Sequence, residues 1–404
     1  MSMKVYQINV VCGSGSTGRI ATDLAQVIEK NGGKSRIGYG RGESPQNIDS
    51  IKISNKLDLY VHAILTRLTD RHGLYSKKAT KKLIKDIESF QPDIIHLHNI
   101  HGYYLNYEEL FWFLEKYGKP VVWTLHDCWA FTGHCAHFDY VKCEKWKKEC
   151  RECPQKGKYP NSILLDNSKD NFDRKRKAFT LAPNVTIVVV SEWLKHVVEE
   201  SFLRTYPIKK ISNGINLEIM HPVESSLREQ NGLNDKRIVL GVASVWDERK
   251  GLNTFFELAQ HLPEEYQIIL IGLDSRQINE KPENIVAIEK LSDPNELAKW
   301  YTAADIYVNT SVEESMGLTT VEAMACGTPV IVMDATGSPE LVDKGCGKIV
   351  ESGNLDELIK AVLNTEKNEK ISEDCIKHAE GFEKTKQYEK YLHLYKKILE
   401  KAEK

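Results

Sequence analysis

The sequence has no apolar run that approaches the roughly 18 residues of a membrane-spanning helix. It also lacks an excess of either charge, because 55 lysines and arginines stand against 57 aspartates and glutamates. The first absence argues against an integral membrane protein, and the second argues against nucleic acid as a partner of the whole chain. Hydrophobic residues make up 41% of the sequence, which is enough to build sizeable cores.

We also expect no secretion signal, because the opening residues, MSMKVYQINVV, lead directly into a β-strand pattern. We therefore expect a protein of the reducing cytoplasm. In that compartment a cluster of cysteines is more typical of metal binding or packing than of disulfide bonds. The nine cysteines are interpreted on this basis.

Four cysteines lie within nineteen residues, at Cys135, Cys143, Cys150 and Cys153. The last pair has the C-x2-C spacing of zinc sites, whereas the first two spacings are longer than is usual for zinc. A structural zinc site and a group of packed free thiols both stay open, with disulfide bonds as a third reading. Zinc bound here would support the fold and would take no part in catalysis.

Short β-branched apolar runs alternate with amphipathic helical stretches, which predicts βαβ units and parallel sheets buried on both faces. The predicted strands are Val5–Val11, Ser35–Tyr39, Asp93–Leu97, Val121–Leu125, Thr186–Val190, Ile238–Ser244, Gln267–Ile271, Ile285–Ile288, Asp305–Asn309 and Pro329–Met333. The fold class is therefore α/β with two Rossmann-like domains, residues 1–193 and 194–380, and a cysteine-rich insertion at about 128–182. Residues 381–404 predict an amphipathic helix that crosses back to the first domain.

The most informative segment runs from Glu314 to Glu322, where two glutamates eight residues apart flank Gly317. The spacing predicts a loop that carries Glu314 and a helix that begins near Gly317. The N–H groups of Met316, Gly317 and Leu318 would then point out of the helix N-terminus, where an anion such as a diphosphate is favoured. Spacing alone leaves a surface helix with ordinary exposed carboxylates as an equal alternative.

This segment resembles the E-x7-E signature of the retaining glycosyltransferases of family four, which have the GT-B fold of two domains facing a cleft. The elements Asn213-Gly-Ile-Asn216, Glu322-Ala-Met-Ala-Cys-Gly-Thr-Pro329 and Gly337-Ser-Pro-Glu340 resemble the same family. The resemblance implies that Glu314 contacts hydroxyls of the donor sugar and that Glu322 holds the ribose of the nucleotide. It also implies transfer of a hexosyl group from a nucleotide diphosphate sugar, with no metal cofactor required.

Lys250-Gly251 resembles the lysine of the family's phosphate-binding element, and a compact cation there would stabilise a departing diphosphate. The family's arginine, five residues earlier, is replaced by Val245. Arg249 either supplies the second cation or is a solvated charge beside Lys250. The departure leaves a two-cation phosphate clamp in doubt.

The first domain carries Gly13-Ser-Gly15-Ser-Thr-Gly18 between its first strand and first helix. These letters fit a dinucleotide-binding loop, so a NAD-dependent dehydrogenase is a competing interpretation. Against it, the second strand is followed by Gly40 and Arg41 and not by the acidic residue that binds ribose in such enzymes. The family resemblance implies instead that Gly13 and Gly15 contribute to donor binding.

Histidines follow two predicted strands of the first domain. His126 resembles the family's cleft histidine, which lies near the donor sugar, and we assign it a catalytic role together with Lys250 and Glu314. His98 and Asn99 are candidates for the acceptor side. The group His96, His98 and His101 could also bind a metal, but a neutral polar wall for sugar hydroxyls is the favoured interpretation.

A basic stripe follows on a predicted amphipathic helix, at Lys77, Lys78, Lys81, Lys82 and Lys85. Such a helix can lie on anionic lipid or can be an ordinary solvated face, and both readings stay open. Peripheral contact with the inner face of the membrane would suit a lipid-carried acceptor.

The sequence thus predicts a glycosyltransferase resembling the bacterial colanic-acid and exopolysaccharide group, in which Trp129-Ala-Phe-Thr-Gly-His-Cys135 has a counterpart. Its expected partners are a nucleotide sugar and a glycan or lipid-linked glycan acceptor, in the synthesis of bacterial surface polysaccharide. A non-catalytic nucleotide-sugar-binding subunit of the same fold is the alternative.

Overall fold

The computed structural model describes residues 2–402 and divides into two compact units. The first unit runs up to Ser212 and resumes at Gln387, and the second unit is Asn213–Lys386. Each unit contains one sheet whose strands all pair in parallel, with helices between them. The predicted α/β class with two Rossmann-like domains is confirmed.

The elements of the first unit are β1 (Lys4–Val11), α1 (Gly15–Lys30), β2 (Lys34–Arg41), β3 (Ser50–Lys52), α2 (Lys56–Thr69), α3 (Lys77–Phe90), β4 (Ile94–Leu97), α4 (Tyr107–Tyr117), β5 (Val121–Leu125), α5 (Ser168–Phe179), β6 (Val185–Val189), α6 (Glu192–Glu200) and β7 (Ile208–Lys210). The strand order is β3-β2-β1-β4-β5-β6-β7. The order reverses between β1 and β4, and the carboxyl ends of strands at such a point are the usual place for a ligand in an open parallel sheet.

The second unit contains α7 (Leu227–Gln230), β8 (Arg237–Val242), α8 (Leu252–Leu258), β9 (Tyr266–Ile271), α9 (Ser275–Glu280), β10 (Ile285–Ile288), α10 (Pro294–Ala303), β11 (Ile306–Asn309), α11 (Leu318–Ala325), β12 (Val330–Met333), β13 (Gly347–Val350), α12 (Leu355–Leu363) and α13 (Glu369–Ala379). The strand order is β10-β9-β8-β11-β12-β13, so the corresponding reversal lies between β8 and β11.

The last helix, α14 (Lys384–Ala402), packs on the first unit. Its apolar face joins the core cluster that contains Val5, Ile94 and Val122, one residue from each of three neighbouring strands. The helix contributes Tyr388, Tyr391, Leu392 and Tyr395 to that cluster. Helical spacing of these residues is what fixes the buried face.

The division between the units falls after Ser212, later than the sequence boundary at residue 193. The reason is that α6 follows β6 directly and that β7 adds to the edge of the first sheet, where Ile208 pairs with Ile187. The segment after residue 193 therefore completes the first unit, although its polar composition resembles a linker.

The insertion between β5 and β6 is irregular over most of its length, with single 3₁₀ turns at Trp129–Phe131 and Lys145–Lys147. Its last part forms α5, the crossover helix that leads to β6. None of the helices within residues 2–402 is long and apolar enough to cross a membrane.

Candidate active site

In the second unit, the loop after β8 and the loop after β11 meet at the strand reversal. Thr310 Oγ1 donates hydrogen bonds to the carbonyl oxygens of Lys250 and Gly251, at 2.8 and 3.1 Å. The backbone N–H of Val312 donates to the carbonyl oxygen of Arg249 at 2.9 Å. These bonds hold the predicted phosphate-binding element against the loop that carries Glu314.

Gly251 makes this contact possible. Its backbone has a φ of +71°, and a Cβ atom there would lie 2.5 Å from the carbonyl oxygen of Thr310. Both the positive φ and the close approach exclude a larger residue without distortion. Asp247 caps the preceding turn by accepting from the N–H of Lys250 at 3.1 Å.

The two residues predicted to contact the donor most directly lie together, because Lys250 Nζ forms an ion pair with Glu314 Oε1. Their side chains are 23% and 18% exposed, so the pair lies at the surface of the loop cluster and can be reached from solvent. The Glu314 backbone is fixed on both sides. Its N–H donates to Thr336 Oγ1 at 2.8 Å, and its carbonyl accepts from Gly337 at 2.9 Å.

Arg249 lies beside Lys250, but carboxylates already engage its guanidinium group. Nη2 is 3.0 Å from Asp247 Oδ2, and Nη1 is 3.7 Å from Glu313 Oε2, whose side chain is 2% exposed. Val245, at the position of the family's arginine, is 67% exposed and offers no charge. Lys250 is therefore the cation of this element that contacts Glu314, while Arg249 binds the loop together.

The helix α11 begins at Leu318, with Gly317 in the left-handed conformation (φ +77°) at the cap position. The spacing of Glu314 and Glu322 predicts this helix start. The start directs the first N–H groups of the helix outward from the loop that contains Met316. Glu322 lies in the second turn of the helix. Its Oε2 accepts a hydrogen bond from the buried Tyr301 hydroxyl at 3.1 Å, which fixes the direction of the carboxylate.

Two buried side-chain oxygens lie close to this loop, one on Ser315 and one on Asn213 of the Asn213-Gly-Ile-Asn216 element. Ser315 Oγ and Asn213 Oδ1 are buried and make no hydrogen bond within the described residues. Asn213 donates its backbone N–H to the sulfur of Met316 at 3.1 Å, which places it beside the glutamate loop. Buried oxygens without partners are costly in a protein interior, and a ligand that supplies hydroxyl donors would satisfy them.

In the first unit, the predicted glycine loop joins β1 to α1. Gly13 and Gly15 have φ values of +73° and +64°, and a Cβ atom on Gly13 would lie 2.6 Å from the ring of Pro45. The Gly13 N–H donates to the carbonyl of Gly18 at 3.1 Å, which closes the turn before α1. The turn is therefore specific to glycine at Gly13 for both conformational and steric reasons.

Two of the predicted histidines of the first unit, His98 and His126, belong to one hydrogen-bond chain with Gln7. Gln7 Oε1 is 3.0 Å from His98 Nε2, and His98 Nδ1 is 3.3 Å from His126 Nε2. Gln7 uses its amide NH₂ to donate to Ala21 O and Ser35 Oγ, so its Oε1 must accept from His98. This chain starts at Gln7, which nothing in the sequence pattern marked.

Burial lowers the pKa of His98 well below its usual value, so the ring is neutral and its Nδ1 is an acceptor. His126 must then carry its proton on Nε2 and present a bare Nδ1. Burial also lowers the pKa of His126 to about 4, an effect that Asp127 opposes and His101 reinforces. A neutral imidazole with a free acceptor nitrogen suits a hydrogen bond from a sugar hydroxyl.

His98, Asn99, His101, His126, Asp127 and Trp129 line one small cavity. The structure thus brings the predicted residues His98, Asn99, His101 and His126 together, and it adds Asp127, which was not assigned a role. His101 Nε2 lies 2.8 Å from Asp127 Oδ2, and His101 Nδ1 lies 2.8 Å from the hydroxyl of Tyr159 in the insertion. His101 lowers the pKa of Asp127 against the effect of burial, which keeps the carboxylate ionised.

The cysteine cluster does not assemble a metal site within residues 2–402, where no group of three or more His, Cys, Asp and Glu side chains could hold a metal ion. All four cysteines are free thiols, and the thiols of Cys135 and Cys153 form a hydrogen bond. Cys150 accepts from the N–H of Gly133 at 3.2 Å. Zinc at these cysteines stays a prediction.

Family models match both units. The model described as Glycosyltransferase Family 4 matches residues 17–219, and the model for glycosyl transferases group 1 matches residues 223–382. The chain belongs to glycosyltransferase family 4. The resemblance found in the motifs is confirmed, and the dehydrogenase interpretation of the glycine loop is wrong for this family.

Among curated relatives, this family-4 chain is 27% identical over 376 residues to the putative colanic acid biosynthesis glycosyl transferase WcaC of Escherichia coli K12, covering 89% of this chain and 90% of WcaC. Among solved structures it resembles sucrose-phosphate synthase from Thermosynechococcus elongatus (TM-score 0.71, 16% identity, 98% and 99% coverage). It also resembles Anabaena HepE in complex with UDP-glucose (TM-score 0.66, 16% identity, 98% and 100% coverage). These structures show the fold, and the family shows that the chain is a glycosyltransferase.

Proposed function

We propose that this glycosyltransferase moves a hexosyl group from a nucleotide diphosphate sugar to a glycan acceptor with retention of the anomeric configuration. The observation that carries the proposal is the grouping of Lys250, Glu314, Glu322 and the N-terminus of α11 at one strand reversal. A cation, two carboxylates and outward N–H groups match the diphosphate, sugar hydroxyls and ribose hydroxyls of one donor molecule.

In the proposed reaction, the bond between the sugar C1 and the diphosphate oxygen breaks, and its electron pair stays on the diphosphate. Two features stabilise that growing charge. One is the Lys250 cation, and the other is the set of N–H groups at the start of α11, which belong to Met316, Gly317 and Leu318. Glu314 orients the sugar and Glu322 anchors the ribose. The acceptor hydroxyl attacks the face that the diphosphate leaves, and its proton passes to a diphosphate oxygen, so that configuration is retained without a covalent enzyme intermediate.

We assign the donor role mainly to the second unit and the acceptor role to the first, which also contributes Gly13 and Gly15 to donor binding. His126 contributes its bare Nδ1 as an acceptor for a sugar hydroxyl, while His98 and Asn99 form part of the same polar wall. Gly13 and Gly15 allow a tight turn whose backbone can approach a phosphate. The similarity to WcaC supports a role in bacterial surface polysaccharide synthesis.

The test is a melting-shift screen of the purified chain against UDP-, GDP-, ADP- and dTDP-sugars, since a bound ligand raises the melting temperature by an amount that grows with its affinity and concentration. The donor that gives a shift is then incubated with candidate glycan acceptors. Transfer with retained configuration supports the proposal. Transfer with inversion, or no shift with any of these donors, would overturn it.

A second candidate function is a nucleotide-sugar-binding subunit without catalytic activity. The observation that favours it is the single cation of the phosphate element, because Val245 is uncharged and Arg249 is engaged by Asp247 and Glu313. Hydrolysis or transfer of the bound donor by the purified chain alone separates the two functions.

A further inference from the structure

Helix α2 exposes an apolar face to solvent. Five large hydrophobic side chains on this helix are between 41% and 70% exposed: Leu57, Tyr60, Val61, Ile64 and Leu68. Each of them lies three or four residues from another member of the group, so they form one continuous stripe along the helix. A surface helix of a folded domain normally turns such a stripe inward.

The orientation of α2 is fixed by polar contacts on its inner side. His62 is buried, its Nδ1 lies 2.7 Å from Ser76 Oγ, and its Nε2 accepts from the N–H of Gly73 at 3.1 Å. Thr66 is also buried on this side. Burial lowers the pKa of His62 to about 3, so the ring is neutral and accepts the Gly73 bond at physiological pH. The helix therefore buries polar groups and presents apolar ones.

A loop of the insertion extends the apolar surface at the C-terminal end of α2. The N–H of Ile163 donates to the carbonyl of Arg67 at 2.7 Å, which attaches the loop to the last turn of the helix. Ile163, Leu164 and Leu165 are 64%, 63% and 51% exposed. Eight large apolar side chains of one unit thus form a single exposed patch, which we call the α2 patch. Contiguous apolar surface of this kind is typical of an interaction site.

The chain around the α2 patch is strongly basic, although the whole protein is nearly neutral. Between Lys52 and Lys85 there are nine lysines and arginines and only two aspartates. One of these aspartates, Asp70, is buried in an ion pair with His134, so it does not offset the surface charge. Lys56 and Arg67 are exposed on α2 itself, and α3 adds five exposed lysines, Lys77, Lys78, Lys81, Lys82 and Lys85.

We propose that the α2 patch docks on an anionic phospholipid surface, with the outer face of α2 in the interface and the surrounding cations on the headgroups. An apolar helix face bordered by lysine and arginine is the pattern of a helix that lies in the plane of a membrane. A second copy of this chain is a poorer occupant, because a symmetric contact would bring the same positive charge against itself. The proposal does not depend on transferase activity.

The experiment is co-sedimentation of the full chain with phosphatidylcholine vesicles, with and without phosphatidylglycerol. The test variant is Tyr60→Ser/Ile64→Ser, and the control is Trp112→Ser, which removes an apolar side chain that is 57% exposed elsewhere in the first unit. We expect binding to the anionic vesicles, a loss of affinity of about tenfold or more in the test variant, and no loss in the control. Replacement of Lys78 and Lys81 by glutamate, which reverses their charge, should weaken binding as well.

Three results would overturn the proposal. The first is no binding of the wild-type chain to anionic vesicles. The second is unchanged binding of a test variant whose circular dichroism and melting temperature match those of the wild type. The third is a dimer in light scattering that the test variant abolishes, which would assign the α2 patch to a second copy of the chain.

Discussion

Lys250 and Glu314 form an ion pair where the loops after β8 and β11 meet. One residue is proposed to bind the donor diphosphate and the other the donor sugar, so the pair connects the two parts of the donor. Binding of a nucleotide sugar must exchange this contact for contacts with the ligand. The cost of separating the pair is modest because both side chains are partly solvated.

Replacement of Lys250 by alanine should mainly slow the chemical step. The charge on the diphosphate grows in the transition state, so a cation placed there contributes more to kcat than to ground-state binding. We expect kcat to fall by roughly 10²–10³-fold, with a much smaller change in the KM of the donor. Steady-state kinetics of Lys250→Ala beside the exposed Lys290→Ala measures this, and equal kcat in all three proteins would contradict the assigned role.

Replacement of Glu322 by alanine should weaken donor binding, because the carboxylate is proposed to hold the ribose hydroxyls in both ground and transition states. We expect the donor Kd to rise by about tenfold or more, the effect of a lost charge-assisted hydrogen bond. Tyr301→Phe removes only the hydroxyl that orients Glu322 at 3.1 Å, and a smaller rise should follow. Isothermal titration provides the values, and a Tyr301→Phe effect larger than that of Glu322→Ala would reverse the proposed roles.

Gly251→Ala should destabilise the second unit and weaken donor binding. The new Cβ atom would lie 2.5 Å from the carbonyl oxygen of Thr310 at a φ of +71°. Gly353→Ala is the matched control, because its φ of +85° imposes the same backbone strain while no atom lies within 4 Å. We expect Gly353→Ala to cost about 1–2 kcal/mol and Gly251→Ala clearly more. Equal melting temperatures of the two variants would show that the contact with Thr310 is unimportant.

The tautomer of His126 can be read directly by nitrogen NMR of the imidazole rings. The hydrogen-bond chain from Gln7 through His98 predicts a neutral His126 with its proton on Nε2. This form should persist as the pH falls from 6.5 towards about 4, since burial lowers the pKa to about 4. A proton on Nδ1 at neutral pH would contradict the chain and the proposed acceptor role of that atom.

The first unit should lose stability on acidification because burial lowers the pKa of several of its histidines. Burial lowers the pKa to about 3 in His62 and His96 and to about 4 in His126. It also lowers the pKa values of His72 and His98 well below the usual value. Between pH 6.5 and about 4 the unfolded chain binds these protons and the folded chain does not, so stability falls with pH. Each histidine contributes up to about 1.4 kcal/mol per pH unit.

His134 acts in the opposite direction. Its pKa is raised by the contact with Asp70 against the effect of burial, so its contribution is present below 6.5 and is lost as the pH rises through the raised value. The five lowered histidines outnumber it. Urea unfolding of the full chain, followed by hydrogen exchange in peptides of the first unit, measures the balance. Stability that does not change between neutral pH and pH 5 would contradict the neutral, buried state of these rings.

The interior strands could be predicted from sequence, whereas three edge strands could not. β5 and β12 are apolar apart from Thr124 and are buried throughout, which is a strong local signal. β3, β7 and β13 are three or four residues long and lie at sheet edges, and two exposed lysines stand in Ile208–Lys210. Their pairing depends on the neighbouring strand, which a local pattern does not contain.

The glutamate loop and the helix start of the proposed donor site were predictable because they share one short motif. Glu314, Gly317 and Glu322 lie on a loop and helix that the spacing itself defines. The chain through Gln7 was not predictable, because Gln7 and His98 are separated by more than ninety residues and meet only through strand pairing of β1 with β4. The ion pair of Arg249 with Glu313 also joins residues distant in sequence, from the loops after β8 and β11, and it changes the role expected for that arginine.

The most direct test of the central claim is the anomeric configuration of the product that the purified chain makes from its preferred nucleotide sugar and a glycan acceptor. Proton NMR of the new glycosidic linkage gives the configuration. The account predicts transfer with the configuration of the donor, a loss of transfer in Lys250→Ala and weaker donor binding in Glu322→Ala. A product of inverted configuration, or donor binding with neither hydrolysis nor transfer, would contradict it.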